Sequence, residues 1–312
     1  MKSYNNFVGI DIGKFNFFAA IHGKKIVTEY ENTTEGVDRF LSDFQDKLTD
    51  TLFILEPTGG YEMRLLLALC DKGFAVHRAH TRKVKNFIRS LGSEAKTDSL
   101  DARNLSLYGY ERSASLDLFK PQTSEAMKLY ELTHRRRDLT QMLVAEKNRK
   151  KSPRTSFVQQ SIETLLNALS NEIKAVSTEI DNLIKKDVFL REKKKTLKTV
   201  PGIGNIVANE LLALLPELGK VSRREIASLV GLAPIAKDSG KSKGYRRTGH
   251  GRNGIKRLLF LAAMAARNSK SHLKSYYENL VGRGKNKMVA LTALMRKIIV
   301  IANARLKNMA TT

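Results

Sequence analysis

Residues 121–196 contain no glycine and almost no proline, and their apolar residues recur at intervals of three and four. Leu129, Leu132, Leu139 and Leu143 form one such series. Ile162, Leu165, Leu169, Ile173, Val176, Ile180 and Leu183 form a second. A period near 3.5 places these residues on one helical stripe, so the spacing predicts two long helices in a coiled-coil-like arrangement. The break is KNRKKSPRTS, where Pro153 sits among positive charges. A hairpin within one chain and a dimerising pair between chains satisfy the spacing equally. This segment divides the 312 residues into three: 1–117, a connector at 118–196, and 197–312.

The segment before it alternates between strand and helix patterns. FVGIDI, FNFFAAI and KKIVTEY, within residues 7–31, are separated by short Gly/Lys turns and predict a meander. Thr33 to Phe44 predicts a helix with Thr34 as its N-cap. TLFILE at 51–56 is nearly all apolar, as a strand covered on both faces requires. Helices are expected at 61–72, 82–90 and 98–111, and a strand at 74–79. The fold class expected here is an α/β domain of about 115 residues, a mixed sheet with helices.

The last segment is helical in pattern and strongly basic. TVPGIGNIVANELLALL places a Pro-Gly-x-Gly turn before a helix. SRREIASLVGLAP follows, with Ser222 as N-cap and Gly231 as stop. Two apolar helices are expected at about 254–267 and 286–306, giving an all-α segment with a helix-hairpin-helix-like motif. From Lys237 to Lys307 there are 18 Lys/Arg and 2 Asp/Glu, a net +16 out of +24 for the whole chain. Such self-repulsion is relieved by a polyanion. Nucleic acid is therefore the leading partner and an anionic membrane surface the second. No apolar run approaches the roughly 20 residues that span a bilayer, and the N-terminus lacks a secretory apolar region, so a cytoplasmic protein is expected. Cys70, the single cysteine, excludes an intrachain disulfide and a Cys-rich zinc site and is expected to be buried.

Four carboxylates stand out. Asp11 and Glu56 end apolar strand-like runs, where burial gives no reason for a charge. Asp98 and Asp101, in KTDSLDARN, lie three apart on one helix face. Asp98 as a helix cap and Asp101 as a solvated residue explain that second pair equally well. Hard oxygen ligands converging in a basic protein point to Mg²⁺ and phosphoryl transfer. GIDIGK also matches the opening of sugar-kinase and actin-like ATPase folds, but that architecture needs a second such strand, which this sequence lacks.

In the C-terminal segment, the turn of Gly202 and Gly204 offers backbone N–H groups to a phosphate. GLAPIAKDSGKSKGYRRTGHGRNGIKRLLFLAA supplies Lys241, Lys243, Arg246, Arg247, Arg252, Lys256 and Arg257 as polyanion contacts, with glycines 240, 244, 249, 251 and 254 keeping the stretch flexible. Each motif has a plainer explanation: an ordinary helix start, and a basic loop that binds without chemistry. By residue chemistry alone, Ser239 is seldom the kind of loop serine that acts as a nucleophile.

FVGIDIGK, ILEPTGGYE and KTDSLDARN, followed in order by TVPGIGNIVANELLALL and GLAP…SG…GIKRLLFLAA, resemble the DEDD-type insertion-sequence transposases. That family includes Piv-like DNA invertases and bridge-RNA-guided recombinases. The resemblance covers nearly the whole chain. It implies a RuvC-type, RNase H-like first domain and a transposase C-terminal domain. Its four acidic positions fall on Asp11, Glu56, Asp98 and Asp101, as Mg²⁺ ligands. Its nucleophilic serine falls on Ser239, with Ser242 three residues away. It further implies donor and target DNA and a structured noncoding guide RNA as partners. A homo-oligomer (dimer or tetramer), an active site shared between protomers, and a bacterial, nucleoid-associated location complete the expectation. The alternatives are a RuvC-like junction nuclease that uses water, and a non-catalytic nucleic-acid-binding protein.

Overall fold

The computed structural model describes residues 4–45, 50–92, 97–121, 123–152, 154–236, 238–240, 242–244, 246–249, 251–252 and 254–309. The chain forms two compact units, Met1–Gln122 and Thr123–Thr312.

The first unit is mixed α/β. Its strands are β1 (Asn6–Ile12), β2 (Asn16–Ile21), β3 (Val27–Glu31), β4 (Thr51–Leu55) and β5 (Ala75–Arg78), in the order β3-β2-β1-β4-β5. The β1–β2 and β2–β3 pairs are antiparallel, whereas β1–β4 and β4–β5 are parallel. Helices α1 (Thr34–Phe44), α2 (Met63–Asp71), α3 (Thr81–Ser90) and α4 (Asp98–Arg112) cover the sheet.

Every residue of β4 is buried, which accounts for its unbroken apolar sequence. Phe53 and Leu55 face one layer with Phe40 and Phe44 of α1 and Leu65 and Leu69 of α2. Leu52 and Ile54 face the other, with Val84 and Phe87 of α3 and Leu105 and Tyr108 of α4. Phe53 packs against the rings of Phe44 and Phe74 at 5.3 and 5.0 Å. Its truncation to Ala would cost roughly 3–5 kcal/mol. Cys70 is half-buried rather than buried, at the margin of the first layer.

The cap of α1 is Thr33, not Thr34. Its backbone is extended and its hydroxyl accepts from the Gly36 N–H at 3.1 Å, while Thr34 is already helical.

The second unit is mostly helical. Helices α5 (Ser124–Lys150) and α6 (Ser156–Lys186) pack together. The Lys128–Glu179 and Lys150–Glu163 ion pairs, at 3.7 and 2.8 Å, show that they run antiparallel within one chain. Pro153 lies outside the described residues. A third helix, α7 (Val188–Lys198), follows α6, where the sequence pattern had marked no separate helix. Asp187 has extended backbone and its carboxylate accepts from the Leu190 N–H at 3.0 Å, a local hydrogen bond that competes with helix continuation.

Helices α8 (Asn205–Leu214), α9 (Arg223–Leu229), α10 (Ile255–Arg267), α11 (His272–Gly282) and α12 (Lys287–Met309) complete the unit. Ser222 caps α9 in a reciprocal capping box with Glu225. The sequence pattern missed α11, whose one fully buried residue is Leu273. Glu210 of α8 meets Arg136 of α5 at 3.3 Å in a nearly buried ion pair that joins the long helices to the rest of the unit.

The basic Gly-rich stretch holds two short strand pairs among its described residues. Strand β6 (Pro234–Ile235) pairs with β9 (Arg247–Thr248), and β7 (Asp238–Ser239) pairs with β8 (Ser242–Lys243). Gly251 is not there for flexibility. A side chain on it would meet the Gly231 nitrogen at 2.2 Å, so the two chain segments touch backbone to backbone.

Candidate active site and nucleic-acid interface

Parallel pairing of β1 with β4 sets Ile10 beside Leu55. Asp11 is the next residue on β1 and Glu56 the first residue past β4, so both lie at the carboxyl edge of the sheet. Side chains alternate along a strand. Val8, Ile10 and Ile12 face the α1/α2 layer, which sends Phe7, Gly9 and Asp11 to the other face. The same alternation sends Leu52, Ile54 and Glu56 to that other face.

That face is covered by α4, and two glycines set its direction. A side chain on Gly9 would lie 2.1 Å from the Ala102 carbonyl oxygen and 2.2 Å from the Ser106 nitrogen. One on Gly109 would lie 2.2 Å from the Ile54 side chain and 3.6 Å from that of Phe7. Helix α4 therefore lies directly on β1 and runs opposite to it. Its first turn, with Asp98 and Asp101, points toward the edge that carries Asp11 and Glu56. Asp98 is exposed and Asp101 partly buried. The cap of α4 is Thr97, whose hydroxyl accepts from the Leu100 N–H at 3.2 Å, so neither aspartate is needed for that role.

Burial raises the pKa of Glu56, and the negative charge of Asp101 raises it further. A hydrogen bond from Thr81 and the charges of Lys85 and His80 oppose this. Asp101 is thus close enough to be felt at Glu56. Among the described residues, no three His, Cys, Asp or Glu side chains converge closely enough to enclose a metal ion. Mg²⁺ takes only one or two carboxylates and fills its remaining positions with water and phosphate. The paired strand-end carboxylates match that need in donor chemistry.

Two buried residues that the sequence did not single out hold the loops beside these carboxylates. The Asn32 side-chain amide donates to the carbonyls of Gly13, at 3.0 Å, and Tyr61, at 3.2 Å. It ties the loop after Asp11 to the loop after Glu56. Glu62 accepts from the backbone N–H groups of Thr58 and Gly60, at 3.0 and 2.9 Å, and pairs with Arg78 at 2.6 Å. Burial pushes the Glu62 carboxyl upward, but Arg78 and these N–H groups outweigh it and hold it below its ordinary value. The sequence carries no signal for Asn32, and for Glu62 only its place after the Gly-rich turn PTGGY.

In the second unit, Ser239 is exposed at the end of β7. It pairs with Ser242 across a two-residue turn, and Gly240 takes φ 54° at the first turn position, as primed hairpin turns require. The Ser-Gly sequence is therefore a turn that presents a hydroxyl. The neighbouring Asp238 is bound by Arg246 through two hydrogen bonds of 2.7 Å. Arg252 is tied to Glu217 and to the Leu214 carbonyl, at 2.8 Å, which gives it a structural role. Arg247 and Arg257 are exposed and Lys256 is partly so. Lys241 lies outside the described residues, as does the side chain of Lys243.

Gly204 caps α8 with open space above it, whereas Gly202 has φ 90° and packs against the Ala262 carbonyl of α10. The open N-terminus of α8 is the part of this turn free to meet a phosphate. Among the described residues, no helix is long and apolar enough to cross a membrane.

Known proteins are similar to this chain in sequence. A protein 27% identical over 308 residues, covering 96% of this chain and 94% of its own, is the pilin gene-inverting protein of Moraxella lacunata. Its counterpart from Moraxella bovis matches with the same identity and coverage. An uncharacterized 43.6 kDa protein of insertion element IS110 from Streptomyces coelicolor is 29% identical over 154 residues, 49% of this chain and 37% of that protein. Residues 8–153 match a DEDD family of IS110 elements described as transposase, and residues 194–278 match the transposase IS116/IS110/IS902 family. With both family regions present in order, this chain belongs to the IS110-type transposases, a family of DNA-recombining enzymes.

Proposed function

We propose that this chain is a Mg²⁺-dependent DNA recombinase of an insertion sequence, guided by a structured noncoding RNA, that exchanges strands through a serine–DNA link. The observation that supports the reading is that register sets Asp11 and Glu56 at one edge of the sheet and that the first turn of α4 lies toward that same edge. Asp11, Glu56, Asp98 and Asp101 would hold the metal, which supplies positive charge to a phosphate and its leaving oxygen. The first unit is read as RuvC-like, α5 and α6 as a coiled-coil connector, and the turn before α8 as a helix-hairpin-helix-like grip on a phosphate backbone.

Ser239 Oγ forms a bond to phosphorus as the bond to the 3′ oxygen breaks. The serine loses a proton and the departing 3′ oxygen takes one up, so the link conserves the energy of the broken bond. Exposed Arg247 and Arg257, with Lys256, neutralise the DNA and RNA backbones.

One observation favours a second reading. Asp238, the acid next to Ser239, is bound by Arg246 and is not placed to take the serine's proton. A nuclease that activates water at the acidic edge needs no such base.

A denaturing gel of reactions with end-labelled DNA separates the two. Protein-linked DNA in the wild type, lost in Ser239→Ala and kept in Ser242→Ala, supports the serine link. Clean cutting without an adduct supports the nuclease. Mixing Ser239→Ala with Asp11→Ala tests whether the catalytic residues come from two chains, since recovered activity requires complementation.

A further inference from the structure

Helix α12 carries two apolar stripes. One, with Leu291, Leu294, Ile298 and Ala302, is buried in the core of the unit. The other, with Val289, Ala293 and Val300, lines an open groove of about 880 Å³. Met288 and Val289, at its start, are 59% and 43% exposed. Leu232, Pro234 and Tyr276 continue the apolar lining. Arg223, Arg246, Arg247, Arg296 and Lys297 also line the groove, and among the described residues no Asp or Glu does.

The charge selects a polyanion, and the apolar floor narrows the choice. A duplex meets a protein with its phosphates and keeps its bases stacked inside. An unpaired strand offers bases as well, and these gain from apolar and aromatic surface. Arg246, which lines the groove, also grips Asp238 beside Ser239. We propose that this groove holds an unpaired nucleic-acid strand, with bases on the α12 stripe and Tyr276 and phosphates on Arg223, Arg247 and Arg296. The inference deepens the recombinase reading by naming the form of strand presented near Ser239.

The test is fluorescence anisotropy of the full chain with a labelled single-stranded DNA, the RNA of the same sequence, and the corresponding duplex. Val289→Glu puts a carboxylate on the exposed stripe and Arg296→Gln removes a charge. Thermal melting checks that both variants fold, and Val289→Ala is a milder substitute if the glutamate does not. Both variants should lose about tenfold or more in single-strand affinity while duplex affinity changes little. Tighter binding of the RNA or of the DNA strand would identify which one the groove serves.

Equal losses for duplex and single strand would overturn the proposal in favour of a general phosphate patch. Unchanged single-strand affinity would overturn it outright, and a shift in sedimentation alone would assign the groove to a second copy. Ser239→Ala should bind the strand as wild type does. Failure of the serine chemistry is thereby read separately from failure of the groove.

Discussion

Asp11 and Glu56 each follow a member of the same registered pair, Ile10 and Leu55, on adjacent parallel strands. Register and alternation together put two carboxylates on one face of one edge, a placement with no packing benefit. Asp11→Ala and Glu56→Ala should therefore each reduce strand cleavage and exchange to background while leaving nucleic-acid binding intact. A plasmid recombination assay paired with gel shifts checks this. Full recombination by both variants would remove the metal-site reading.

Glu56 should cost the fold stability. Its pKa is raised, so the native state holds that proton more tightly than the unfolded chain does. This contribution is most favourable below the ordinary carboxylate range and declines as pH rises through the raised value. At neutral pH, Glu56→Gln should raise the melting temperature while abolishing activity. A lower melting temperature would mean that the carboxylate serves the fold.

Asn32 joins the loops that follow Asp11 and Glu56. Asn32→Ala should accelerate amide hydrogen exchange in residues 13–15 and 57–61 together. Activity should fall by roughly 10–100-fold, as when a supporting partner of a ligand is lost. Faster exchange in one loop only would show that the amide does not couple them.

The charge of the last quarter should make binding strongly salt-dependent. Affinity is expected to fall roughly 10³-fold or more between about 50 and 200 mM salt, as counterions are released from the phosphates. A nearly flat titration would show that the net +16 of Lys237–Lys307 faces another partner.

The α5/α6 pair leaves Met142, Val144, Leu165 and Phe157 exposed, the last at 80%. We propose these exposed apolar residues as a surface for self-association. Phe157→Glu with Leu165→Glu should shift the full chain toward a smaller species in sedimentation. No shift would overturn self-association through these helices.

The sequence by itself determined the order of elements in the first unit, the two long helices, the Ser222 cap and the concentration of charge. Each follows from local periodicity, local hydrogen bonding or composition, which neighbouring residues set. It also singled out Asp11 and Glu56, because a carboxylate ending an apolar strand is conspicuous without a fold. Tertiary structure decided what those residues face. Register with β4 and the close approach of α4 to Gly9 join residues about 90 positions apart, and no local pattern encodes that meeting. The roles of Asn32 and Glu62 were hidden for the same reason, since their hydrogen bonds reach loops that adjoin only after the sheet has formed. The partner of Arg252 was hidden likewise: a sequence shows a cation, but only packing shows that Glu217 already holds it.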